Sequence, residues 1–220
     1  MKVPMSWLQA MVNLPDGTTT DKVAKALTNH TATVEKVEVV GGELTGPIVI
    51  GHILSSVPEP QKNGKVINWC RVDVGPRYNA EGHPKNIEEG VEGRGIICGA
   101  PNAVEGAWVV VSLPGAVLPG GFAISARKTY GHMSDGMLCA SDELGIGVDD
   151  AGIITLPPSV EGHQLVPGED ALPILGVPEE VLDVDVTPDI GYCMSMRGIA
   201  REVAHALSLI HISEPTRQEA

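Results

Sequence analysis

The sequence predicts a mostly β protein with α+β flanks, in which a five-stranded barrel is inserted into a small discontinuous α+β domain. Three observations carry this reading. Between Ile48 and Leu138, short β-branched runs such as Ile48-Val49-Ile50 and Trp108-Val109-Val110-Val111 alternate with Gly, Pro and Asn, the pattern of short strands joined by tight turns. Strands this short cannot hide their edges in a flat sheet, so they close on one another, and residues 42–150 are read as an OB-type barrel. The pieces on either side, 1–41 and 151–191, are each too short for a core of their own. They are expected to pack together, with the barrel inserted where its ends lie close.

Taken in order, Ser6-Trp7-Leu8-Gln9 has capping-box spacing, with Ser6 as N-cap of a short helix running to about Val12. Leu14-Pro15-Asp16-Gly17 is a turn. Thr19 or Thr20 caps a second helix whose buried face is Val23, Ala26 and Leu27. Val34, Val37, Val39 and Val40 mark a strand stopped by Gly41-Gly42. Ile48–Leu54 and Trp69–Gly75 are the first barrel strands, with a polar loop from Pro58 to Lys65 between them, and Pro76–Arg94 reads as a long surface loop. The runs within Ile96–Gly147 supply the remaining strands, Val117 and Leu118 can seal a barrel end, and Ser141–Leu144 reads as one helical turn capped by Ser141. Ile153–Leu156 is a strand stopped by prolines, and Val181–Val186 alternates with period two. Met196, Ile199, Val203, Ala206 and Leu207 lie on one face of a last helix, capped by Ser195.

Composition narrows the function classes. The 220 residues carry 15 Lys/Arg against 28 Asp/Glu, a net charge of −13, so polyanion binding requires a local basic patch. The imbalance is uneven: residues 1–39 are neutral, 40–150 carry −5 and 151–207 carry −7. With seven aromatic residues, the core must be aliphatic. No apolar run approaches a membrane span, and the opening Met-Lys-Val-Pro-Met lacks the apolar core of a signal peptide. The four cysteines (Cys70, Cys98, Cys139, Cys193) stand far apart without a CxxC pair and read as buried, reduced thiols.

Little here reads as catalytic. The chain holds no P-loop or GxGxxG, and its seven histidines never recur at HxxxH spacing, so no metal site is expected. Ser141-Asp142-Glu143 reads better as a helix start than as a catalytic cluster. Pro119-Gly120-Gly121 reads as a turn with positive φ, with a phosphate cradle as the lesser alternative. An OB barrel binds RNA through a groove that pairs cations with stacking surfaces. The candidates for that groove are Lys62 and Lys65 in the first loop, Arg71 on the second strand, and Arg127, Lys128 and Tyr130 before the closing motif. Arg127 and Lys128 are neighbours on a strand, so only one of them can face the groove.

Cys98-Gly99-Ala100-Pro101-Asn102, Leu113–Gly121 and Ser134–Cys139 together resemble the tRNA-binding OB domain of several synthetases and free-standing tRNA-binding proteins. Ser6-Trp7-Leu8 at the start, and Asp185-Val186-Thr187-Pro188 followed by Gly198-Ile199-Ala200-Arg201-Glu202, narrow the resemblance to the amino-terminal part of bacterial phenylalanine–tRNA ligase β subunits, over residues 1 to about 207. Two stretches depart from the family pattern: the loop Pro58–Lys65, and Thr187-Pro188-Asp189-Ile190, where an Arg is expected. The resemblance implies an accessory tRNA-binding and scaffolding role in a cytoplasmic α2β2 class II synthetase that uses ATP and magnesium. The α subunit carries the active site. This stretch then binds no cofactor, contacts no membrane or DNA, and has the phenylalanine-specific tRNA and the α subunit as partners. Residues 192–207 would begin the next, editing-region domain, and 208–220 read as a non-native tail. Two other readings stay open: a free-standing tRNA-binding or chaperone-like OB protein, and a purely structural barrel that touches RNA little.

Overall fold

The computed structural model describes residues 1–61, 64–84, 92–149 and 151–209. Two compact units emerge: Met1–Val40 with the segment that starts at Pro178, and Gly41–Val177. The chain enters with β1 (Lys2–Pro4), α1 (Met5–Met11), α2 (Thr20–His30) and β2 (Val34–Val40). The second unit begins with β3 (Ile48–Pro60), β4 (Val66–Asp73), α3 (Gly75–Ala80), β5 (Arg94–Cys98) and β6 (Trp108–Ser112). Short strands follow: β7 (Val117–Leu118), β8 (Phe122–Ala123), β9 (Arg127–Thr129), β10 (His132–Ser134), β11 (Met137–Leu138), β12 (Thr155–Leu156), β13 (Ser159–Val160) and β14 (His163–Gln164). After α4 (Ala171–Ile174) the chain returns to the first unit with β15 (Glu179–Val184) and α5 (Met196–Ala206).

In the first unit, β15 runs between β1 and β2, antiparallel to both, so that Leu182 sits opposite Val3 on one side and Val37 on the other. Val3, Leu8, Val23, Leu27, Leu182, Ile199 and Val203 form one aliphatic core, joining residues nearly 200 positions apart. Thr19 caps α2 by accepting from the Lys22 N–H at 3.3 Å, and Ser195 caps α5 by accepting from the Gly198 N–H at 3.0 Å. Ser6 does not cap α1. Pro4 takes the N-cap position, and the Ser6 N–H donates instead to the Glu179 carboxylate at 3.0 Å, so an acid from β15 meets the helix start. The segment 192–207, expected to open a further domain, belongs to this core: Cys193, Ile199, Ala200, Val203 and Ala204 are buried against it. Of the expected foreign tail, Ser208 and Leu209 are described and 210–220 lie outside the described residues.

The second unit is a nearly closed five-stranded barrel in the order β11-β6-β3-β4-β5, with β12 added beside β6. Val49, Ile53, Cys70, Val72, Ile96, Val109, Val111 and Leu138 fill its interior. The thirteen-residue β3 serves two neighbours, pairing its first half with β6 and its second half with β4. It crosses the interior at Gly51, where a Cβ would stand 2.6 Å from Val111 Cγ2 and 2.8 Å from Val72 Cγ1. Pro58-Glu59-Pro60, expected in a loop, continues β3. Two prolines two positions apart lie on one edge of a strand, so the edge facing β4 keeps its ladder.

Three further expectations are corrected. Gly75, expected to end a strand, and residues 76–80, expected in a surface loop, form α3, because Asp73 Oδ1 accepts from the Gly75 N–H at 2.9 Å and from Asn79 Nδ2 at 2.7 Å. Ser141–Leu144 forms turns rather than a helix. Glu143 accepts from the Ala140 N–H at 2.8 Å, while the Ser141 hydroxyl donates to the Asp149 carbonyl at 2.9 Å. The barrel unit also extends to 177 rather than 150, since β12 pairs with β6 and the Ile50 N–H donates to the Glu169 carbonyl at 2.9 Å.

The barrel closes where β5 meets the chain entering β11. The Asp135 N–H donates to the Gly95 carbonyl at 2.9 Å and the Ile97 N–H donates to Ser134 Oγ at 3.0 Å. Behind these bonds lies an ion pair, Arg94 Nη1 to Asp135 Oδ2 at 3.4 Å, with side chains 5% and 3% exposed. Arg94 Nε also donates to the Tyr78 carbonyl at 2.7 Å, and Asp135 accepts from the His83 N–H at 2.6 Å. Burial pulls the Arg94 pKa below its usual value and the Asp135 charge opposes that pull. Asp135→Ala is expected to cost about 3–5 kcal/mol, because it strands a buried guanidinium, and urea unfolding measures the loss.

All four cysteines are free and buried. Burial pushes the Cys98 thiol up to about 11 and the Cys139 thiol up to about 12. An unfolded thiol ionises at a lower pH, so the unfolded chain releases these protons first. Stability is therefore complete below about pH 8.5 and falls as pH rises towards the folded values. The urea midpoint is expected to hold steady from pH 7 to 8 and to drop by pH 10.5, with thiol reagents reacting at pH 8 only after unfolding.

Candidate nucleic-acid interface

Strand register builds the site. Val57 on β3 lies opposite Trp69 on β4, and Trp69 lies opposite Ile97 on β5, so the three share the outer face of the barrel. Arg71 is two residues beyond Trp69 on that face, with its guanidinium carbon 5.5 Å from the centre of the indole. His132 of β10 stacks on Trp69 with ring centres 4.2 Å apart and planes inclined by 16°. His132 Nε2 donates to the Glu59 carboxylate at 3.0 Å, which fixes the imidazole from the β3 side. The result is an Arg–Trp–His group assembled from strands that are adjacent only because the barrel has closed.

The β9–β10 hairpin shapes the rest. Its two-residue turn is Tyr130-Gly131, with φ of +47° and +90°, the left-handed geometry that tight hairpins require. Arg127, Thr129, His132 and Ser134 share one face, and Lys128 and Met133 the other. Beside the first face is a hollow of about 170 Å3 whose lining includes Ile97, Phe122, Ile124, Arg127, Thr129 and Met137. Phe122 is 52% exposed, a large apolar residue left partly in solvent.

Of the six candidate residues, Arg71 and Arg127 come to this face, and Tyr130 stands exposed at the hairpin tip. Lys65 is exposed in the β3–β4 turn, where its carbonyl accepts from the Gln61 N–H at 2.7 Å. Lys128 takes the face opposite Arg127, as strand alternation requires. Lys62 lies outside the described residues. Sequence reasoning missed Trp69, His132, Glu59, Ile97 and Phe122. Only Phe122, the one Phe in the chain and set among turn residues, carried a local signal of exposure.

Charge bears on two of these residues, Arg71 and Arg127. Residues 41–177 carry eight Lys/Arg and sixteen Asp/Glu. Among the described cations, Arg94 is paired with Asp135 and Arg77 with Glu81, and the other four are Lys65, Arg71, Arg127 and Lys128. Other chemistry recedes. Gly120 and Gly121 do adopt positive φ, but the Gly120 N–H donates to Glu43 at 3.1 Å, so a carboxylate occupies the supposed phosphate cradle. Among the described residues, no group of three His, Cys, Asp or Glu side chains could hold a metal ion.

Comparison with known proteins decides the family. The chain is 96% identical over 219 residues to the phenylalanine–tRNA ligase β subunit of Cutibacterium acnes, covering 100% of this chain and 26% of that relative. The chain belongs to the phenylalanine–tRNA ligase β-subunit family. The Thermobifida fusca β subunit is 52% identical over 206 residues, covering 94% of this chain and 23% of that relative. The Bifidobacterium longum β subunit is 45% identical over 208 residues, covering 93% and 23% respectively. The chain thus spans about a quarter of the length of the curated phenylalanine–tRNA ligase β subunits it matches. The Cutibacterium alignment also reaches into the segment 208–220. No family model matches the chain.

Within this β-subunit barrel unit, Tyr130, like Glu161 at φ +49°, is held against its own backbone preference. A left-handed φ costs a side-chain-bearing residue about 1–2 kcal/mol, and Asn tolerates it best. Tyr130→Asn is expected to raise stability by about 0.5–1 kcal/mol, read as a higher unfolding midpoint.

Proposed function

We propose that this chain is an accessory tRNA-contacting and scaffolding part of a phenylalanine–tRNA ligase β subunit, and that it holds none of the catalytic groups. In this reading the complete enzyme joins phenylalanine to its tRNA in the cytoplasm, as an α2β2 assembly. ATP and magnesium are bound outside this chain.

The observation that carries the tRNA-contacting reading is the Arg71–Trp69–His132 group beside the hollow at Phe122 and Arg127, within an otherwise acidic unit. Cations next to exposed ring faces suit RNA, which offers phosphates and bases together. Lys65 and Tyr130 are further exposed candidates, Lys128 takes the other face of the β9–β10 hairpin, and Lys62 stays a candidate from the sequence. Few phosphates are met, so affinity is low and depends steeply on salt. A purely structural barrel is the second reading, favoured by the Glu59 carboxylate held against His132 in the middle of the group.

Charge reversal separates the two. In the complete assembled enzyme, Arg71→Glu combined with Arg127→Glu is expected to weaken tRNA binding by about tenfold at low salt, with assembly intact. Unchanged affinity would establish the structural role instead. The 220-residue chain alone is expected to bind tRNA weakly, and submicromolar binding at physiological salt would contradict the few-contact account.

A further inference from the structure

We propose that the hollow beneath Phe122 seats one unpaired nucleobase of a single-stranded RNA segment, with Arg127 on the adjoining phosphate. This rests on the RNA-contacting reading above and names the part of the RNA that is recognised.

The shape of the hollow is the first argument. Its walls are Ile97 from β5, Phe122 and Ile124 from the β8 region, and Met137 from β11, with Arg127 and Thr129 along the β9 side. An apolar slot with one ring half in solvent suits a flat aromatic body, which stacks on the ring and buries its faces. Phe122 is held in place rather than swinging free. Its β8 strand pairs with β7 in the register Leu118 to Phe122, across the Gly120-Gly121 turn.

Polar chemistry is the second argument. Ser134 lines the slot, yet its hydroxyl is already committed, accepting from the Ile97 N–H at 3.0 Å and donating to the Gly136 carbonyl at 3.1 Å. That leaves the Ser125 and Thr129 hydroxyls and the Arg127 guanidinium as the polar side-chain groups along the slot. A site with so few fixed donors and acceptors reads stacking surface rather than base edges, so it tolerates any sequence. Duplex RNA keeps its bases stacked and paired inside the helix and offers nothing to insert.

Neighbourhood is the third. Ile97 is at once a wall of the slot and the cross-strand partner of Trp69. The Trp69–His132 stack is therefore one strand away, with Arg71 beside it. The exposed Phe122 ring and the Trp69–His132 stack, each beside an arginine, stand on one surface, and arginines next to aromatic rings suit a single strand. An apolar peptide would explain Phe122, but it gives no reason for cations to gather here in a unit that is strongly acidic elsewhere.

The test uses the full 220-residue chain at low salt. The probes are a fluorescent RNA pentanucleotide, the same pentanucleotide carrying 5-iodouridine for photocrosslinking, and a blunt RNA duplex. Phe122→Ala, at an exposed position, is expected to fold normally by circular dichroism. It should weaken pentanucleotide binding by about tenfold while leaving duplex binding within about twofold. Arg127→Gln should weaken binding of both probes, and crosslinks should map to Phe122 or Met137. If Phe122→Ala changes neither probe, or both equally, the nucleobase seat is overturned. It then matters whether Arg71→Gln still weakens RNA binding: if so, the RNA-contacting reading survives without the seat, and if not, both fail. If Phe122→Ala spares RNA binding but prevents the complete β subunit from assembling with its partner, the hollow is a protein contact and the seat is overturned.

Discussion

Barrel closure at β5 is the constraint on which the remainder depends. A five-stranded barrel of such short strands has one seam where regular pairing fails, and here Ser134 and Asp135 bridge it with a hydroxyl and a main-chain N–H. The Arg94–Asp135 pair beneath is costly to bury, and it is retained with each partner hydrogen-bonded again, to the Tyr78 carbonyl and the His83 N–H. One small group of atoms thus ties α3, β5 and the β10–β11 connection together. Because His132 is two residues before Ser134, closing the seam also lays the hairpin over Trp69.

That coupling explains how an acidic module can present a surface suited to a polyanion. Net charge alone argues against RNA, and for most of the second unit it is decisive. The exception is local: Arg71 on β4 and Arg127 on β9 stand on one face of the barrel. A repelling background with a small cationic face favours contact in one orientation over general adhesion.

Where sequence and structure part, the cause is in each case a partner remote in the chain. Ser6 has good capping-box spacing, but Glu179, 173 positions away, takes the amide that the box would have satisfied. Pro58 and Pro60 looked like loop residues, and only the presence of β4 on one edge shows that they cost no ladder bonds. Residues 151–177 read in sequence as part of the flanking domain, and in the structure they belong to the barrel unit. The edge of β6 and the outside of β3 claim them. The candidate site divides in the same way. Arg71 and Arg127 were legible as cations on strands, whereas Trp69, His132 and Ile97 are ordinary residues until register sets them side by side.

By itself, the sequence determined the kinds of element and their order, the caps at Thr19 and Ser195, the buried thiols and the family, because these follow from neighbouring residues or from a linear pattern. Tertiary structure alone decided which unit residues 151–177 join, which face Arg127 takes, and that a histidine would stack on Trp69 beside an apolar slot. Those outcomes depend on strand register and on closure of the seam. Both are settled by side chains packing across the barrel, and a pattern read along one strand does not contain its partner.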